Sequence, residues 1–511
     1  MIKKLIAFAS VLILFLVFPF SSVNAVDKAG SKCTKAGAKS VVNNKSYTCI
    51  KSGKGLVWNK GVNSKTKNLI DFKSFYSTDS GYYDNFPLGP CQLDPLVPTE
   101  WVEIQKLFYN LQACAGQLRL AKYNLGNLRP AATYSDSKDF NLVQPCKINS
   151  ASHYSLMHRT DSWAASRKHP GPNSVIQLIP IYAEDTALPK NTPAKDYEKY
   201  LAFIKEWVDY SSDFGSSVIY KIPDQYIKFP GKIADYKLNH EMNWDAPNNV
   251  KFNKDVIAAV DAEIDFTGVN MVIVVAPAGS NASIMQQAAL GSFQTKEGTA
   301  SVGMSQFPDN PTNPGGSPHI VAAHPFWWIH ESYHVGYGLD DHYGDRRSSI
   351  NSEYGMGWWT MMTPWGGDLS VWEKWLLGFV KDSQIQCTSE SPSSTHWIAP
   401  SSVKTQESKA IVVPISSTKV LVAESIRSAG FYYKIPSQNQ GVLVYEIDLT
   451  KSDHGMGMKL SVPKNKQINI TSPFFMAGAA LKKGDSTTSN GITFTILESG
   501  TFGDVIKVSK E

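Results

Sequence analysis

Apolar positions along the chain fall into three regimes. From residue 5 to 20 they form one nearly unbroken run behind Lys3 and Lys4. In the middle of the chain they recur at helical spacing in some stretches and as short solid runs in others. Beyond about 390 they come as brief β-branched runs separated by Ser, Gly, Asn and Pro. The first regime reads as a signal peptide: a positive start, an apolar centre, and small residues at Val23-Asn24-Ala25 for cleavage. About sixteen mostly apolar residues are short for a bilayer span. In the middle region, residues 197–207 have helical spacing. Residues 218–222 and 271–275 read as strands, the latter buried because it is continuously apolar. Runs at 410–415, 420–423, 441–448 and 492–497 predict a β-sandwich-like domain.

Two further helices matter for chemistry. Pro325 suits the first turn of one, where its missing N–H costs nothing. Phe326, Ile329 and Tyr333 then form a core stripe, with Trp327, His330, Glu331 and His334 on the adjoining face. Gly336 and Gly338 end it. Residues 369–379 predict a second amphipathic helix stopped by glycine, with tryptophans that read as packing. Residues 308–318, rich in Pro, Asn and Gly, read as an exposed loop just before the first of these helices.

A length of 511 residues implies two or more domains, and 42% apolar content is ordinary for globular proteins. The pattern divides the chain into a signal peptide (1–25), a small Lys-rich two-cysteine module (26–68), a mixed α+β region (69–388) and a β-rich C-terminal domain (389–511). In the module Asp27 is the only acid, and Cys33, Tyr47, Cys49 and Trp58 suffice for a tiny bridged β unit. Its basic surface suits weak association with anionic cell-surface polymers; a solvated spacer is the plain alternative. All six cysteines follow the cleavage point, and an even count in an exported chain favours disulfides. Cys33 and Cys49 are expected to pair. Cys91, Cys114, Cys146 and Cys387 leave three connectivities. A bridge from Cys387 to the earlier group would tie the end of the middle region to its start. No CxxC spacing supports a cysteine zinc site. The net charge of +5 is mild. There is no basic-aromatic run for nucleic acid and no glycine-rich phosphate loop.

The segment His330-Glu331-Ser332-Tyr333-His334 carries the sharpest chemistry. Residues four apart share a helix face, so both imidazoles reach one metal ion. Glu331 is offset and suits a base that deprotonates water. With histidine at 11 of 511 residues, this pattern arises by chance in about one such chain per hundred. A catalytic zinc needs a third protein ligand. Asp341 is favoured, then Asp340, with His342 and Glu353 as alternatives. The same Asp-rich loop could hold Ca2+ as a structural ion, although the spaced pattern of a calcium hand is absent.

The run 330–334, the turn 338–343, the segment 359–363 and the helix 372–379 resemble the secreted metalloproteases related to bacterial immune inhibitor A. The stretch Asp265-Phe266 with 271–275 resembles the strand before their active-site helix. Residues 421–427 and 441–448 resemble strands beyond their catalytic domain. The likeness spans roughly 240–450. It implies a metzincin-like zinc endopeptidase with His330 and His334 as ligands, Glu331 as base, an acidic third ligand and Met362 beneath the metal. This chain departs from the pattern by one extra residue in the turn after His334 and by aromatic residues flanking the active-site helix. The expected function is hydrolysis of protein or peptide substrates outside the cell. The alternative is a catalytically inactive, peptidase-like binding or surface-attachment protein. A third reading, hydrolysis of a non-peptide amide, shares the site.

Overall fold

The chain divides into two compact units, residues 1–69 and 70–511. The computed structural model describes residues 30–63, 129–150, 156–158, 173–305, 330, 333–334, 338–342, 355–362 and 368–510, with short omissions inside several of these ranges, the longest being 428–439 and 464–478. The expected signal peptide, the 308–318 loop, Cys91 and Cys114 lie outside the described residues. Among the described residues, no helix is long and apolar enough to cross a membrane.

In the first unit, β1 (Lys39–Val42), β2 (Lys45–Ser52) and β3 (Gly55–Trp58) form an antiparallel sheet in that order, and β4 (Val62–Asn63) also pairs with β2. So small a sheet buries little apolar area, and a covalent staple supplies what the core cannot. The expected Cys33–Cys49 disulfide is that staple. Tyr47 and Cys49 are buried against it.

The second unit is mixed α+β and mostly sheet. Its first sheet contains β5 (Asn173–Tyr182), β6 (Ser217–Lys221), β7 (Ile227–Lys228), β8 (Met271–Val275), β9 (Gly291–Thr295) and β10 (Gly298–Ser305). The order is β6-β5-β8-β10-β9, with β7 paired to β5. Every pairing is parallel except β9 with β10. Side chains alternate along a strand, and β8 uses both sides. Met271, Ile273 and Val275 pack with Leu201, Ile204 and Trp207 of α1 (Glu198–Ser211). Val272 and Val274 pack with Phe252, Val256 and Val260 of α2 (Pro247–Val260). The two helices therefore cover opposite faces, as the unbroken apolar run of β8 requires.

Two further sheets follow. β11 (Ile385–Cys387), β13 (Ala410–Ser416), β14 (Lys419–Ile426), β15 (Gly441–Asp448) and β16 (Met458–Leu460) form one, in that order. β12 (Ser393–Ile398), β19 (Gly503–Lys510), β18 (Ile492–Gly500) and β17 (Ser486–Ser489) form the other. Ile411, Leu421 and Val444 of the first share a core with Phe494, Ile496 and Ile506 of the second. On its other face, the first sheet puts Val412, Val422 and Tyr445 against Val371, Trp372 and Trp375 of α3 (Val371–Leu376). Trp372 and Trp375 are thus packing residues. α3 and its flanks lie between two cores: Leu369, Leu377 and Phe379 belong to the core of the α/β sheet, and Val371, Trp372 and Trp375 to that of the five-stranded sheet. The helix expected over 369–379 is shorter at both ends, and Gly378 follows it at φ +74°.

The Cys146–Cys387 disulfide joins residues 241 apart and is one of the pairings the four middle cysteines allow. Replacing both by serine should cost about 2–5 kcal/mol, because the unfolded chain regains the freedom of a very long loop. Thermal unfolding should show a midpoint several degrees lower; a midpoint within about 1 °C of the parent would mean the bridge adds nothing.

His158 lies edge-on to Trp372 and Trp375, with ring centroids 4.9 and 4.1 Å away. Burial, then the Lys147 charge, lowers its pKa from 6.5 to about 3, opposed by Asp382. The folded pKa is depressed. The neutral ring's contribution is therefore full above pH 6.5 and is lost as pH falls toward 3. His158→Phe should flatten the fall in thermal midpoint across that interval. An unchanged acid limb would assign the loss to other groups.

Candidate metal centre

His330, Tyr333 and His334 are helical. Tyr333 is buried and meets Trp207 of α1 edge-on, at a centroid distance of 5.3 Å. That contact pins the turn carrying the two imidazoles to the helix–sheet core. The chain then reverses at Gly338, whose φ of +69° is left-handed. The Gly338 N–H donates to His334 O and the Leu339 N–H to Tyr333 O, each at 3.1 Å. These nested bonds are each one residue wider than the pair that closes a Schellman ending.

Beyond that turn the chain brings three of the expected ligands together: His330, His334 and Asp341. His330 Nε2 and His334 Nε2 are 3.0 Å apart. Asp341 Oδ1 lies 3.1 Å from the first and 3.3 Å from the second. His330 Nδ1 meets Met361 O, and His334 Nδ1 meets Leu339 O, both at 2.9 Å. A carbonyl only accepts, so each Nδ1 carries a proton, and Nε2 is the nitrogen each ring has for an ion. Two nitrogens and a carboxylate oxygen thus converge as electron-pair donors. Donors about 2.0–2.1 Å from a tetrahedral Zn2+ stand about 3.3–3.4 Å from one another. The donor set and its spacing fit such an ion. His330 and Asp341 are buried, while the His334 side chain keeps 15% of its surface. The accessible side of the site is therefore at His334.

Asp340 and His342, the two neighbours weighed as ligands, do not join the group. Asp340 Oδ1 accepts the Asp341 N–H at 2.9 Å. The His342 ring is buried, with Nε2 3.2 Å from Glu373 Oε1. Both side chains are thus engaged away from the three converging atoms. Met362 is fully buried with Tyr333, Leu339 and Met361. Its N–H donates to Thr360 Oγ1, and its carbonyl accepts the His342 N–H. Glu331, Tyr343 and Glu353 lie outside the described residues.

Glu373 was not singled out in the sequence. Its Oε2 accepts from Thr360 Oγ1 at 2.6 Å and from the Ser370 N–H at 2.7 Å. Burial pushes its pKa up, but His342, Thr360 and Ser370 more than offset that and hold the carboxyl below its ordinary range. The available signal was Ser370-Val371-Trp372-Glu373, a capping box opening α3. Beside it, buried Asp368 accepts from Lys374 Nζ, from Ser211 Oγ at 2.8 Å and from Ser402 Oγ at 2.6 Å.

Asp341→Ala should weaken zinc binding by more than about 100-fold, while Asp340→Ala should stay within a few-fold of the parent. Chelator competition on the purified chains measures both, and equal losses would remove Asp341 from the coordination set. Comparison with protein-family models finds no match, and comparison with curated proteins finds none, so the functional reading rests on this chain's own residues.

Proposed function

We propose that this chain is a secreted zinc-dependent endopeptidase with a metzincin-like catalytic region. The observation that carries the reading is the convergence of His330 Nε2, His334 Nε2 and Asp341 Oδ1 within 3.0–3.3 Å, on residues spaced as HExxH plus a following acid. Those three atoms would hold the ion. When bound, Zn2+ supplies Lewis acidity that polarises a scissile carbonyl and makes a nearby water easier to deprotonate.

The chain's own residues supply the rest. The carbonyls of Leu339 and Met361 hold the two Nδ1 protons, so neither ring can turn its Nε2 away. Asp341 adds one negative charge to the two neutral rings, which leaves the bound ion with net positive charge for substrate. Glu331 has the place in the motif that suits the general base. Its carboxylate takes the proton from the attacking water and passes it to the leaving amine. The signal-like N-terminus and two disulfides fit an oxidising, extracellular setting.

Glu331→Gln should retain about one zinc per chain and lose casein cleavage. In the parent, a chelator should remove metal and proteolysis together. Full cleavage by the Gln variant would refute the base assignment. A parent that holds zinc and cleaves no protein or peptide library would instead favour the non-catalytic binding protein.

A further inference from the structure

One donor, Asp341, and the two carbonyls that orient the helical His330 and His334 stand on two segments that lack helix or strand. Residues 338–342 carry Asp341 and the Leu339 carbonyl that holds His334. Residues 359–362 carry the Met361 carbonyl that holds His330. Among the described residues, four backbone bonds join the first segment to its surroundings: Gly338 and Leu339 donate back to His334 O and Tyr333 O, the His342 N–H donates to Met362 O at 2.9 Å, and the Met356 N–H donates to His342 O at 2.7 Å. Backbone bonds of this number do not by themselves hold side-chain donors to the few tenths of an ångström that a metal site needs.

We infer that Glu373 is a positioning residue for the metal centre, clamping segments 338–342 and 359–362 together from behind. Its Oε1 lies 3.2 Å from His342 Nε2, on the residue next to Asp341. Its Oε2 accepts the Thr360 hydroxyl at 2.6 Å, on the residue next to Met361. One carboxylate therefore touches both segments, each time one residue from a group that ligates or orients a ligand. It is itself fixed by the Ser370 N–H at the start of α3. α3 is anchored in turn to β14 and β15, because the Val371 N–H meets Glu424 Oε1 and the Trp372 N–H meets Tyr445 Oη, both at 3.3 Å. The line of support runs from the five-stranded sheet through α3 and Glu373 to the ligands. This inference rests on the metal reading of His330, His334 and Asp341.

The test is zinc affinity of the full chain by chelator competition, with visible spectra of the Co2+-loaded protein as a second measure of ligand geometry. Both are taken where circular dichroism shows each variant folded. Glu373→Ala should weaken zinc by about 10–100-fold and alter the Co2+ bands. Glu373→Gln should recover to within about threefold, since the amide keeps an acceptor for Thr360 and Ser370 and turns its nitrogen to His342. Trp372→Phe, which removes the indole bond to Leu156 O and leaves the carboxylate contacts of Glu373 in place, should lower the thermal midpoint and leave zinc affinity within about twofold. If Glu373→Ala does not fold, Thr360→Val removes one jaw of the clamp and should cost about threefold to tenfold. The clamp is overturned if Glu373→Ala, or in its stead Thr360→Val, binds as tightly as the parent. It is also overturned if Trp372→Phe loses as much affinity as Glu373→Ala. A parent chain that takes up no zinc would instead overturn the metal reading, and the clamp with it.

Discussion

Three electron-pair donors held within 3.0–3.3 Å of one another are the constraint around which the second unit is arranged. A folded chain keeps such a group only if each donor is fixed on its far side. Both imidazoles are fixed by backbone carbonyls, and the chain carrying Asp341 is fixed through the residues on either side of it. The cost of assembling the group is thereby transferred to two irregular segments. Those segments must be rigid for reasons unrelated to secondary structure.

That requirement accounts for the place of α3 and its flanks between the core of the α/β sheet and the core of the five-stranded sheet. α3 has one face against the five-stranded sheet and its first turn against the site. Asp368 and Lys374 reinforce this junction as a buried ion pair. A buried pair costs desolvation that its mutual attraction alone does not recover. Here the remaining capacity of Asp368 is filled by Ser211 at the end of α1, by Ser402, and by the Leu369 N–H at 2.8 Å. The pair joins α1, α3 and the chain after β12 at one point. Its contribution is better understood as fixing their relative placement than as adding net stability.

Much of this was legible in the residues. The solid run 271–275 gave a strand covered on both faces, and the spacing of 197–207 gave a helix that continues to Ser211. The HExxH segment gave both imidazoles. The acid that joins the two imidazoles was only narrowed, because Asp340 and Asp341 differ by the width of one turn. That width is set by hydrogen bonds from Gly338 and Leu339, and side-chain identities do not encode it. His342 looked like a good ligand by chemistry alone. In the structure its Nε2 lies 3.2 Å from Glu373 Oε1 instead. The orienting groups on Leu339 and Met361 are carbonyls that any residue would offer. The runs 410–415 and 420–423 suggested one sheet of a sandwich. Their lack of polar alternation carried a further message, that the outer face is also covered, and α3 covers it.

The placement of charge around α3 follows from counting donors. Two buried carboxyls flank its first turn. Glu373 has the Thr360 hydroxyl, the Ser370 N–H and His342, and is held below the usual carboxylate range. Glu424 is raised to about 7, because burial outweighs what Ser401, the Val371 N–H and Lys374 return. Tyr445 beside it is pushed well above its ordinary value, chiefly by burial and then by Glu424. Two carboxylates so near one helix start would repel if both were ionised. The donor imbalance resolves this by making the ionised form much easier for one than for the other. The carboxylate held low faces residues 342 and 360, and the acid raised by burial faces the sheet. α3 is thus bound on one side through Glu373, and on the side turned toward β14 and β15 through packing together with the Val371 and Trp372 N–H groups.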